Sequence, residues 1–355
     1  MRPARDSWVN PLLALAFCAT AGALFRVLHV PLPWMLGPLL AMAAGNFAGA
    51  RLRAVPGGRS VGQIVIGTAL GLYFTPVVAR QVASFWPLLI FAGVFAILLG
   101  VFSGWVLSRL GQTDARTAFF ASVPGGAAEM TILGERYGAR PDRVALAQSL
   151  RILIVVMVIP FALTYSGVHG TDAYAPAATP VAYPGLATLL GLATIAGVIL
   201  ARTGMPNAFM FGPLALVVVL TANEVQFSSI PGPISNAAQV LIGCALGERF
   251  ERRSLASAPR YVGATLASVL AAIGCSMAFA ALLGWASRVP VASLVLATAP
   301  GGIAEMCITA KVLQLGVPLV TAAHVTRVIV LITTTGPSYR FARLCMNRFR
   351  RRNTL

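Results

Sequence analysis

Between Phe85 and Leu107 the chain reads FWPLLIFAGVFAILLGVFSGWVL, 23 residues without a charge. A helix that crosses a bilayer needs roughly 20 mostly apolar residues. Comparable runs occupy 11–25, 186–201 and 261–285, the last reading YVGATLASVLAAIGCSMAFAALLGW. Only 10% of the chain is charged, whereas a soluble domain carries about a quarter. The expected class is therefore an all-α polytopic membrane protein. Arg2 and Arg5 precede the first run, but no A-x-A-like site followed by a soluble domain comes after it. That run is expected to stay as the first helix rather than to be removed as a signal.

The net charge of +17 comes from 26 Arg and one Lys. It does not imply nucleic acid. The charges are scattered over short loops and the tail RFARLCMNRFRRRNTL, and the segments outside the apolar runs are too short to fold a DNA-reading module. Short basic loops on the cytoplasmic side are what a membrane protein shows, and the tail suits anionic lipid.

The chain is written twice. SVPGGAAEM at 122–130 returns as TAPGGIAEM at 298–306, and IGTALG at 66–71 returns as IGCALG at 242–247, both 176 residues on. PLPWMLGPL at 31–39 matches GMPNAFMFGPL at 204–214, Arg151 matches Arg327, and Gln148 matches His324. The expected organisation is a first membrane repeat over 1–180 and a second over 181–355 with a short basic tail, joined through HGTDAYAPAATPVAYP. Five spans per half are expected: about 10–28, 32–50, 60–79, 84–110 and 143–165, then 184–202, 206–222, 233–250, 260–286 and 317–338.

Arginine placement orients the halves. If both Pro-Gly-Gly segments dip in and return, 21 basic residues lie inside and 4 outside. If both cross, the split is 14 to 11. The positive-inside rule favours the first arrangement, which has ten spans, inverted halves and cytoplasmic termini. Matched loops agree: RLRAVPGGR at 51–59 is basic, whereas its counterpart NEVQFSSIPG at 223–232 carries no positive charge.

A Pro followed by two Gly breaks a helix. Backbone left open at membrane depth survives only inside protein or beside a wet cavity. Broken helices in inverted repeats mark the midplane site of many secondary transporters, and a helix N-terminus attracts anions. The candidate site is Pro124, Gly125, Gly126, Glu129 and Arg151 with Pro300, Gly301, Gly302, Glu305 and Arg327. Glu129 and Glu305 are the two of ten acids that fall in the middle of apolar segments. Each is followed 22 residues later by an Arg, so a hairpin would pair Glu129 with Arg151 and Glu305 with Arg327. The alternative is that each Glu only caps its own short helix. Gln148, His324, Asn46 and Asn207 are secondary candidates, as are Gln63 and Gln239, all equally suited to helix–helix hydrogen bonding. Gly37-Pro38 and Gly212-Pro213 are expected to kink their helices. IGTALG and IGCALG read as tight packing faces.

No metal, cofactor or enzymatic activity is expected. His29, His169 and His324 lie far apart, and Cys18, Cys244, Cys275, Cys307 and Cys345 form no CxxC pair.

The duplicated PGGxAEM motif, the GPL helix and the IGxALG helix resemble the AbrB family of bacterial inner-membrane proteins over essentially the whole chain. That family is distinct from the small DNA-binding AbrB of sporulating bacteria. The resemblance implies the inner membrane and an association with regulation of gene expression. Labels such as "ammonia monooxygenase" or "transcriptional regulator" do not suit these residues, which offer neither clustered ligands nor a DNA-reading module. Two readings stay open. One is a secondary transporter of a small metabolite, an anion among the candidates, with its site at the two breaks. The other is a membrane-embedded regulator that acts indirectly, by ligand or partner binding without net transport. Monomer or homo-oligomer is not read from the sequence.

Overall fold

The computed structural model describes residues 6–168, 170, 180–250, 258–331 and 333–334. The basic tail, most of the inter-repeat segment, His169, Cys345 and both chain ends lie outside the described residues.

Among the described residues every regular element is a helix: α1 Asp6–Val27, α2 Pro33–Phe47, α3 Gly58–Gly71, α4 Pro76–Ser84, α5 Trp86–Gly111, α6 Ala115–Ser122, α7 Ala127–Arg136 and α8 Pro141–Tyr165. There follow α9 Tyr183–Arg202, α10 Ala208–Ala222, α11 Gly232–Gly247, α12 Pro259–Ser287, α13 Val291–Thr298, α14 Ile303–Leu313 and α15 Val317–Leu331. Five of these (α1, α5, α8, α9 and α12) are long and apolar enough to cross a bilayer. Their outward faces say the same. Leu12, Leu13 and Phe17 on α1, Phe91 and Leu98 on α5, and Leu270 and Leu282 on α12 are all exposed. Stripes of this kind are not tolerated in water. Trp8, Trp86, Trp285, Tyr165 and Tyr183 are also exposed, each near the end of a long helix, where amphipathic rings meet the headgroups. The chain is a multi-pass helical membrane protein.

The expected span 60–79 is not one helix. It stops at Gly71 and resumes as α4 at Pro76, with a 90° bend between the two pieces. Pro76 has no N–H to continue the ladder and pushes Thr75 away from helical geometry. The helices α2, α3, α10, α11 and α15 run 14 to 16 residues, short of the roughly 20 that a straight crossing takes.

The helices gather into two compact units that do not follow the two sequence halves. Unit 1 comprises Met1–Ser84, Val156–Ala258 and Gly302–Thr321; unit 2 comprises Phe85–Val155, Pro259–Gly301 and Ala322–Leu355. Each repeat gives helices to both.

In unit 1 the halves interlock. Helix α3 packs on α10, α11 packs on α2, and α3 and α11 pack on each other. The small residues of IGTALG and IGCALG make this contact. A methyl group on Gly67 would stand 2.5 Å from Met210 O, and one on Gly243 would stand 2.5 Å from Met35 O. Helices α2 and α10 use the same device. Gly37 rests against Ala21 O of α1 and Gly212 against Ala196 O of α9, so Cβ atoms there would fall at 2.7 and 2.6 Å. Backbones that approach this closely gain dispersion contacts, which is what holds helices together where lipid replaces water.

Unit 2 is built on α5 and α12, which pack along each other. Phe95 stacks on Phe279 with centroids 3.9 Å apart, and Ser268 Oγ donates to Ser103 O at 2.8 Å. Against this pair lie α6 and α13, the short helices that lead into the two Pro-Gly-Gly breaks.

Candidate functional site

Helix α6 begins at Asp114, whose side chain accepts the Thr117 N–H at 2.9 Å. It ends after Ser122, where Val123 turns extended and Pro124 has no amide to offer. Helix α13 ends in the same way at Ala299 and Pro300. A helix that stops inside a protein leaves its last carbonyls without intrahelical donors. Buried carbonyls left so would cost about 1–3 kcal/mol each.

The next long helix supplies the missing donors at both breaks. Gln148 Nε2 donates to Phe120 O at 2.8 Å and to Val123 O at 3.0 Å. Arg151 Nη1 donates to Val123 O at 2.9 Å and Nη2 to Gly125 O at 3.2 Å. In the second break His324 Nε2 donates to Leu296 O at 2.9 Å, while Arg327 reaches Ala299 O at 2.7 Å and Gly301 O at 2.6 Å. A carbonyl can only accept, so His324 carries its proton on Nε2 in this arrangement. His324 Nδ1 and its counterpart Gln148 Oε1 are buried with no hydrogen-bond partner among the described residues.

The glutamates do something else. Glu129 and Glu305 each occupy the third position of the helix after the break, with Gly126 and Gly302 as N-caps. Each carboxylate folds back over its own N-cap, so that a Cβ on Gly126 or Gly302 would overlap its Oε2. This is the place of a capping-box glutamate. Within unit 2 the Glu–Arg pairing that the 22-residue spacing suggested is not formed: among the described residues no ion pair joins Glu129 to Arg151. The helix ends explain why. The C-terminal end of α6 or α13 is the negative end of a dipole and attracts a guanidinium, and the N-terminal end of α7 or α14 is positive and attracts a carboxylate. Each charge is matched to a broken helix end rather than to the other charge.

Within unit 2 the structure brings Pro124, Pro300 and Arg151 onto one cavity of about 20 Å³, which Ser103, Ser122 and Ser268 also line. Ser103 Oγ has no hydrogen-bond partner among the described residues. A space of this size admits a single water. The serines were not among the sequence candidates. The signal available for Ser103 was a lone hydroxyl in the long run of α5, which also reads as helix packing. Gly301 and Arg327 belong to unit 2 but do not line this cavity, whereas Gly302 and Glu305 belong to unit 1. Glu305 is buried and Glu129 is half-buried.

The remaining candidates serve unit 1. Asn46 Oδ1 accepts Leu52 N–H at 2.6 Å and ties down the turn after α2. Asn207, the left-handed N-cap of α10, accepts from Gln63 Nε2 at 3.3 Å and Arg59 Nη2 at 3.5 Å.

With this geometry in hand, similarity to known proteins is informative. Over 363 aligned residues the chain is 26% identical to "Uncharacterized protein YhjN" of Bacillus subtilis (strain 168), covering 94% of each. Over 317 residues it is 25% identical to "Putative regulator AbrB" of Escherichia coli (strain K12), covering 88% of this chain and 90% of that one. Residues 34–343, which take in both breaks and both Gly-Pro motifs, match the family model described as "Transition state regulatory protein AbrB", and the chain belongs to that AbrB family.

Proposed function

We propose that this protein is a secondary transporter of the bacterial inner membrane, with inverted halves, cytoplasmic termini and a transport centre at the two Pro-Gly-Gly breaks. One observation carries the reading. Two chain breaks, each capped at its carbonyl end by an Arg, present their prolines to the same small cavity, whose mostly apolar wall carries Arg151 and the hydroxyls of Ser103, Ser122 and Ser268. Broken helices that leave backbone polar groups at membrane depth are tolerated where they line a path for a polar solute. The arginine distribution of 21 to 4 supports the inverted arrangement and the orientation.

In this reading the cavity is a closed state. Its volume admits one water, so a metabolite passes only when the walls on α5, α12 and the breaks move apart. Glu129 and Glu305 are the coupling groups, because a carboxylate held only by its own helix end can exchange that end for a proton or cation. The arginines hold the breaks in shape and keep the local charge positive, which favours a small anion as cargo.

A second reading has its own support in the printed names of the family and of the Escherichia coli relative, both of which speak of regulation. Here the same centre binds a ligand without net transport and acts on gene expression indirectly.

Proteoliposome flux separates the two. Uptake of labelled small organic acids above empty vesicles, driven by an imposed proton or sodium gradient, is the expected result. Ligand-dependent thermal stabilisation with no uptake favours the regulator. If Glu129→Gln and Glu305→Gln both keep full uptake, the coupling role is wrong and the carboxylates only cap their helices. Single cysteines at 55 and 228 are expected to label from opposite faces; labelling from one face would sink the inverted arrangement.

A further inference from the structure

We propose that unit 1 contains a separate binding site for a small organic monocarboxylate, in a cavity between α3, α11 and α14 with Lys311 as its counter-charge. The cavity measures about 280 Å³. Ile66 and Leu70 of α3 and Ile308 of α14 give it an apolar wall, while Ser235 and Gln239 of α11 and Lys311 of α14 supply polar groups. All of these residues belong to unit 1.

Ser235 and Gln239 point to a ligand. They are 6% and 7% exposed, and they lie four residues apart, on one face of α11. Neither side chain makes a hydrogen bond with any described residue. Their polar atoms open on the cavity rather than on protein, and a packing role alone would be served as well by an apolar side chain at 239.

The internal duplication shows how this amide came to be left open. Gln63, the counterpart of Gln239 in the first half, donates to Asn207 at the N-cap of α10. The equivalent N-cap of α2 is Leu32, with the same left-handed backbone, φ 51° at both. A leucine side chain accepts nothing. One half therefore closes its glutamine internally, and the other turns it to a cavity.

Lys311 is the chain's only lysine. It is half-buried in the last turn of α14, and no acidic side chain among the described residues lies within 4.0 Å of it. Attraction to the helix C-terminus accounts for a cation in that turn. It does not account for two bare polar groups around the same cavity. An ammonium, a hydroxyl and an amide N–H are all donors, which suits a carboxylate. One positive charge beside an aliphatic wall suits a single-charged acid with a short apolar body better than a phosphate. The site is distinct from the centre at the breaks and stands whether or not the protein carries out transport.

The sole lysine gives a direct test on the intact protein in nanodiscs. Acetylation by an amine-reactive ester is followed by mass spectrometry, with the chain's α-amino group as internal reference. Butanoate, hexanoate and benzoate are the probes, and hexanamide is the uncharged control. At least one acid is expected to slow modification of Lys311 fivefold or more, with the reference unchanged and hexanamide without effect. Calorimetry with the best acid is expected to lose tenfold or more in affinity for Lys311→Met and several-fold for Gln239→Leu, while Lys311→Arg stays within threefold. The proposal is overturned if none of the three acids protects Lys311 or if hexanamide protects equally well. It is also overturned if Lys311→Met binds as the native protein does.

Discussion

The two Pro-Gly-Gly breaks are copies of one design, and they differ where their neighbours differ. In the first, α5 presents Gly100 to Val123 and Pro124, and a methyl group there would stand 3.1 Å from Val123 Cα. In the second, the equivalent position on α12 is Ser276, whose hydroxyl donates to Thr298 O at 3.3 Å. Gln148 divides its amide between two carbonyls of the first break, whereas His324 serves one carbonyl of the second. Arg327 holds its two carbonyls at 2.7 and 2.6 Å, and Arg151 holds its pair at 2.9 and 3.2 Å. The second break is thus the tighter, with its glutamate buried, and the first is the looser, with Glu129 partly open. A duplicated element can keep its backbone solution while the side chains around the two copies hold it differently.

The largest effect should come from the arginines. Arg327→Met removes two donors from buried carbonyls and is expected to cost on the order of 3–5 kcal/mol, read as thermal unfolding in detergent. Arg151→Met should cost less, about 2–3 kcal/mol, because its bonds are longer and Gln148 still serves Val123 O. Equal losses would remove the distinction between a tight and a loose break. Next come the glycines under the carboxylates. Gly126→Ala and Gly302→Ala put a Cβ where Glu Oε2 lies, and each is expected to cost about 1–3 kcal/mol. Pairing either with the matching Glu→Ala should recover part of that loss. A double variant no better than the single one would mean that the carboxylate is not what excludes the methyl group. Smallest should be the exchange of polar partners. His324→Gln gives the second break the residue that the first already uses, and is expected to stay within about 1 kcal/mol, whereas His324→Leu should cost about 1–3 kcal/mol by leaving Leu296 O without its donor.

Much of this was legible from composition and repetition. Apolar runs announce membrane helices because lipid rewards little else, and Pro124 and Pro300 announce breaks because an imino nitrogen cannot donate. The close approaches at the GPL glycines and the IGxALG faces were likewise readable from residue size. The end of α3 was not, since Thr75 and Pro76 sit in an apolar stretch that reads as one span until the 90° bend is seen. Nor was the service of Arg151 and Arg327. Spacing suggested a partner for each Glu, but the backbone carbonyls freed by a break carry no sequence letter and compete for the same guanidinium.

The sequence alone determined the medium, the duplication and the two points where helices must stop, because those follow from side-chain polarity and from the chemistry of Pro and Gly. Only the tertiary structure decided what satisfies the stopped helices. It also decided that the two halves interlock within each unit and that Gln239 faces a cavity while Gln63 does not. Those outcomes depend on which backbone ends up beside which side chain, 25 to 28 residues along the chain at the breaks and 144 between Gln63 and Asn207, distances at which local pattern carries little information.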